Sequence, residues 1–161
     1  MKLATAVMMG VSTQRLNERR FSQLQAMMNQ HNPNFNIYKH FAYGCNCNLL
    51  GADRPLTQPG WGQAVDSVDT VCKQYKDCQR CAEVRHGSDC IGESVSYNYS
   101  WGANWNGAKA LCHDAAGTCG RALCECDSVF AYNHADATDA EYNMNYSHFY
   151  KPFDYENICR K

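Results

Sequence analysis

The sequence predicts a mainly α-helical, disulfide-rich domain built on two long helices, with an N-terminal helix and a small β-wing. Two observations carry this. Eleven cysteines occur in 161 residues, a density that in a reduced compartment would be an oxidation liability and that reads as a disulfide framework. Two long segments also place apolar residues and cysteines together at three- and four-residue steps, the period of a helix with one buried face.

The elements follow in chain order. Arg15 to Gln30 sets Leu16, Phe21, Leu24, Met27 and Met28 at helical spacing, as a core-packing helix would. His31 to Pro59 is rich in Asn, Gly and Pro and reads as loop, with Cys45 and Cys47 inside it to hold an irregular path. Trp61 to Val84 returns to helix, with Val65, Val68, Cys72, Tyr75 and Cys78 on the inward face. Ile91 to Trp101 alternates through Val95, Tyr97 and Tyr99, as a short hairpin does. A second long helix is expected over Trp105 to Tyr132, with Leu111, Cys112, Ala115, Cys119, Leu123, Cys126 and Phe130 as its inner stripe. The tail from Ala135 to Lys161 is aromatic and Asn-rich, and Cys159 is expected to tie it to the body.

Composition narrows the function. With 15 Lys plus Arg against 16 Asp plus Glu, there is no polybasic surface for nucleic acid. The longest apolar run, Leu3 to Val11 with two interruptions, is about half of the ~20 residues a transmembrane helix needs, so no transmembrane segment is expected. Zinc is the rival explanation of the cysteines, but only Cys78 and Cys81 stand three apart, without the second such pair that a structural zinc site uses. Residues 1–18 read as an N-terminal extension ahead of a domain over 19–161. Its apolar run resembles a secretory leader, whereas Arg15, Arg19 and Arg20 resemble an organellar presequence. Asn98-Tyr99-Ser100 and Asn145-Tyr146-Ser147 match the N-glycan sequon, which matters only in a secretory route.

Three strings stand in order: Tyr43-Gly44-Cys45-Asn46-Cys47; Asp66-x-x-Asp69-x-x-Cys72-x-x-Tyr75-Lys76-Asp77-Cys78; and Cys112-x6-Cys119-x4-Cys124-Glu125-Cys126-Asp127. Over roughly Phe21 to Cys159 the chain resembles the secreted phospholipase A2 family. The resemblance implies a phospholipase-A2-like fold: an N-terminal helix, a calcium loop, two antiparallel disulfide-linked helices and a β-wing. Carried over by position, it implies bridges Cys45–Cys159, Cys47–Cys72, Cys78–Cys126, Cys90–Cys119 and Cys112–Cys124. Cys81 is left over, as a free thiol, expected to be buried, or as one available for an intermolecular bridge. One family bridge is missing at both ends, where Val71 and Asn133 stand.

The resemblance also implies a degenerate active site. The family's general base, a histidine, falls at Tyr75, whose phenol, ordinarily near pKa ~10, is a poor base at neutral pH. Its metal-binding aspartate falls at Lys76, an ammonium that repels Ca²⁺. Asn48, Leu49 and Leu50 precede the single matching Gly51 in the loop, so the calcium site is expected to be lost and no cofactor is expected. Asp127, with Tyr97 or Tyr99, matches the family's supporting network, and a Tyr75 phenol bonded to Asp127 would satisfy a buried carboxylate. Asp77, one residue on, is turned by ~100° along the helix and makes a poor substitute ligand. None of the six histidines falls where it would replace the base.

The expectation is therefore a protein that is not an enzyme but a structural or protein-interaction module, such as an accessory subunit of a larger assembly. A secreted lipid- or membrane-binding pseudoenzyme that touches a phospholipid surface is the alternative. An oxidising location follows: extracellular, or alternatively the mitochondrial intermembrane space within a membrane-associated complex.

Overall fold

The computed structural model describes residues 22–49, 55–104 and 106–160. The 1–18 extension, the domain's start, and Leu50, Gly51 and Trp105 of the sequence reading lie outside them. Residues 22–31 are helical (α1) and bury Leu24, Met27 and Met28. A one-turn helix, α2 (Ile37–His40), leads into a two-stranded ribbon of β1 (Ala42–Tyr43) and β2 (Cys47–Asn48), antiparallel with Tyr43 opposite Cys47. Gly44 closes that ribbon with φ +58°, and a Cβ there would stand 2.5 Å from the Asp69 carboxyl carbon, so only glycine fits.

The two long helices are α3 (Ser67–His86) and α4 (Cys119–Glu141). Asp66 caps α3 by accepting the Asp69 N–H, and Gly87 ends it in the left-handed region with its N–H on the Glu83 carbonyl. The helices run antiparallel: Ser67 at the start of α3 donates to Glu141 at the end of α4, whereas Cys78 bonds Cys126 further along. Their shared face holds Val68, Cys72, Tyr75, Ala82, Leu123, Cys126 and Phe130, and the Tyr75 and Phe130 rings stack at 4.2 Å.

The boundaries of both long helices differ from the sequence reading. The α3 helix starts at Ser67 rather than Trp61, because the Asp66 cap sets its first turn. The second helix starts at Cys119, not Trp105. Leu111 and Cys112 instead form β4 (Leu111–Cys112), paired antiparallel with β3 (Tyr99–Ser100). Gly117 at φ +78° and the Thr118 cap separate strand from helix, and Leu111 is half exposed rather than inward. The wing is thus one strand from the Ile91–Trp101 stretch and one from beyond it. At its far end α4 runs past Tyr132 to Glu141, into the stretch read as tail.

Disulfides join Cys45 to Cys159, Cys47 to Cys72, Cys78 to Cys126, Cys90 to Cys119, and Cys112 to Cys124. They consume the thiols a zinc site would need. Cys81 is free and exposed, not buried as expected, because it falls on the solvent side of α3 between buried Gln79 and Ala82. Val71 and Asn133 line one cavity of about 160 Å³ between α3 and α4, across from one another where no bridge exists. A short 3₁₀ turn (Met144–Tyr146) and α5 (Tyr155–Ile158) complete the chain. The tail is held to the first ribbon by Gly44 N–H to Tyr146 O and His148 N–H to Ala42 O.

Candidate functional site

The centre of the α3–α4 interface is a buried carboxylate. Asp127, at helical spacing from Leu123 and Phe130 on α4, points its oxygens at α3 and the approach to the wing. The Tyr75 hydroxyl donates to Oδ1 at 2.8 Å, Gln79 Nε2 to the same oxygen at 3.1 Å, and the Tyr97 hydroxyl to Oδ2 at 2.5 Å. Burial pushes the Asp127 carboxyl up to about 6, against the lowering pull of the two phenols that bond it. Burial, reinforced by the Asp127 charge and hydrogen bond, raises the Tyr75 phenol well above its ordinary value. Tyr97 is raised by the same causes in the same order. Neither phenol becomes a phenolate at any ordinary pH, so both act as donors.

Tyr97 is placed by α1. Gln23 donates to the Tyr97 carbonyl at 2.6 Å and accepts its N–H at 3.2 Å, a two-point clamp across 74 residues. Tyr99, the other phenol singled out in the sequence, packs 6.0 Å from the Tyr97 ring. Its partly buried ring joins the edge of the core, and no hydrogen bond to Asp127 runs from it.

One residue along α3, Lys76 is buried and its ammonium donates to the Gln58 carbonyl at 3.3 Å. It lines a pocket of about 130 Å³ with Asn46, Lys73, Asp77 and Arg80. Asp77 is turned outward and pairs with Lys73 at 3.3 Å and Arg80 at 2.5 Å. The carboxylate nearest the Cys45–Cys47 loop belongs to Asp69, and it is fully committed. It accepts the N–H groups of Cys45, Asn46, Cys47 and Val65, and the Asn46 side-chain amide, all between 2.6 and 3.1 Å. Among the described residues no three His, Cys, Asp or Glu side chains converge as a metal-binding group.

Sequence reasoning missed two features. Gln79 is fully buried and completes the Asp127 shell, and its place four residues after Tyr75 on the same helical face was the available signal. His40 and His134 are also fully enclosed, 5.4 Å apart between ring centres. His134 follows Phe130 by four residues on α4, a signal hidden by ending that helix too early. Nothing in the sequence marks His40.

Curated relatives match this frame. A basic phospholipase A2 β-bungarotoxin A4 chain from Bungarus candidus is 32% identical over 103 residues, 64% of this chain and 60% of that protein. A β-bungarotoxin A2 chain from Bungarus multicinctus, also named a basic phospholipase A2, is 30% identical over 118 residues, 73% of this chain and 66% of that one. The chain belongs to the secreted phospholipase A2 family. It spans less than two thirds of the length of several of these relatives, and no family model matches it. The relatives are named basic, whereas this phospholipase A2 homologue carries a net charge of -1.

Proposed function

We propose that this phospholipase A2 homologue is non-catalytic and acts as a structural or protein-interaction module, an accessory subunit held by its disulfide scaffold. The Tyr75–Asp127 hydrogen bond carries this reading. Hydrolysis in this fold needs a group that takes a proton from water, and Tyr75 is a donor sealed between Phe130 and a carboxylate. Calcium does not fit the donor set either: Lys76 brings a cation to the loop pocket, Asp69 is saturated by five N–H donors, and Asp77, at the same pocket, is already paired with Lys73 and Arg80. The names of the relatives support a multichain setting, since each is one lettered chain of a toxin. Among the described residues no helix is long and apolar enough to cross a membrane, and five disulfides fit an oxidising compartment.

Two measurements test this. The protein in its native source, sized without reductant in mild detergent, should run far above the 18.2 kDa of the chain. A monomer there would sink the subunit reading and make vesicle binding the next assay. Calcium-dependent release of fatty acid from phospholipid vesicles, abolished by Asp127→Asn, would overturn the non-catalytic one.

A further inference from the structure

The tail carries an exposed apolar patch and, beside it, an amide of unusual placement. Met144, Phe149 and Tyr150 are 49%, 61% and 53% exposed, although the segment is pinned to the body by Cys159 and by the Ser147 bridge to Tyr43. A pinned segment that shows three large apolar side chains to solvent wants a cover. Asn145 lies within it, exposed, in the 3₁₀ turn. Lys151, next to Tyr150, donates to Asn145 Oδ1 at 2.8 Å, so the lysine holds the amide by its oxygen and not by Nδ2, the atom a sugar would take. The sequon is complete, with Ser147 at the third position.

We propose that Asn145 is an N-glycosylation site whose first sugars lie over Phe149 and Tyr150. Sugar rings present C–H faces that pack on aromatic faces, while their hydroxyls stay in water, so one modification covers the patch and leaves the surface polar. In the transfer, Nδ2 bonds to C1 of the first sugar of a lipid-linked pyrophosphate oligosaccharide. The C1–O bond to phosphate breaks, the polyprenyl pyrophosphate leaves with the electron pair, and Nδ2 gives up one proton. Oδ1 keeps its bond to Lys151.

The structure also times the step. Ser147 is fully buried and its Oγ accepts the Phe149 N–H at 3.2 Å, so a transferase reads that hydroxyl only before the tail docks. The second sequon is placed differently: Asn98 has both its N–H and its Nδ2 on the Asp114 carboxylate, at 2.7 and 3.3 Å, and its carbonyl in the wing pairing. Its amide is engaged by Asp114, whereas that of Asn145 is held only by its oxygen.

The proposal rests on a secretory route and is independent of whether the protein is a subunit. The test is expression of the full chain through a eukaryotic secretory pathway, then treatment with peptide N-glycosidase in heavy-oxygen water and peptide mass spectrometry. Asn145 should convert to labelled aspartate, and the intact-mass shift should persist in Asn98→Gln and vanish in Asn145→Gln, with all five disulfides present in each. Secreted, fully bridged protein with an unmodified Asn145, or with sugar only on Asn98, would overturn the proposal. Chymotrypsin should cut after Phe149 and Tyr150 several-fold faster once the sugar is removed; equal rates would overturn its placement.

Discussion

Lowering the pH from about 7.5 to about 5 should destabilise the protein, and the His40–His134 pair sets the size of the effect. Both rings are enclosed by Phe35, Phe130 and Tyr142. His40 Nδ1 accepts the Asn36 N–H, so its proton sits on Nε2, and neither Nε2 has a partner. Burial, and then the Lys39 charge, push the His40 imidazole down to about 4; burial, and then His40 itself, push His134 down to about 3. Bases depressed in the folded state stabilise it above their unfolded value near 6.5, and that stability is lost as pH falls. At pH 5 each ring has given up ~2 kcal/mol, or ~4 kcal/mol together. Asp127 opposes this, because a carboxyl raised to about 6 in the folded state favours folding as pH falls. Between pH 7.5 and 5 it returns about 1 kcal/mol. The net loss is ~2–3 kcal/mol, a drop in melting temperature of roughly 5–10 °C for a domain of this size. His134→Leu, close in volume, should remove about half of the histidine share. A melting temperature that is flat or rising toward pH 5, or a slope unchanged in His134→Leu, would refute the reasoning.

Other substitutions probe the scaffold and the site. Val71→Cys with Asn133→Cys should form a sixth bridge; through Cys78–Cys126 it closes a loop of about 15 residues, worth ~3 kcal/mol, read by mass spectrometry and thermal unfolding. Tyr75→Phe leaves Asp127 with two donors and should cost ~1–3 kcal/mol by denaturant unfolding, with the penalty shrinking below about pH 6 as the carboxyl protonates. Gly44→Ala meets both an unfavourable φ and the Asp69 carboxylate, so the secreted yield should collapse. Tyr75→His with Lys76→Asp should show neither calcium binding by calorimetry nor lipid hydrolysis, because the Asn46 carbonyl is tied to the Asn48 N–H and Asp69 stays saturated.

The two long helices were legible because cysteines and apolar residues keep helical spacing along them. The disulfide partners were legible only through the family frame, since spacing alone leaves many pairings open. The β-wing was half legible. Leu111, Cys112, Ala115 and Cys119 stand at helical steps by coincidence, and the cue against a helix was Gly117-Thr118, a turn and a cap in the middle of the pattern. Cys81 misled for another reason: a lone thiol behaves as a small apolar side chain and is often buried, but helix phase puts this one outside. The His40–His134 contact joins α2 to α4 across 94 residues, and no local pattern encodes it.

The Asp127 shell shows what a carboxylate at the centre of this scaffold requires. A buried carboxylate needs donors, and removing one without replacement leaves an uncompensated charge in the core. Here three donors meet it: two phenols and an amide, none of which accepts a proton at ordinary pH. An imidazole in place of Tyr75 would titrate near neutrality and bring a charge to the α3–α4 interface; the phenol supplies the same hydrogen bond without that charge and adds a ring face for Phe130. Selection for packing alone would therefore favour tyrosine at this position as soon as hydrolysis no longer mattered. On the same proposal Lys76 needs no metal beside it, because its ammonium is met by the Gln58 carbonyl. On the proposed non-catalytic reading, Tyr75 and Lys76 are kept for the contacts they make, the phenol with Asp127 and Phe130 and the ammonium with the Gln58 carbonyl.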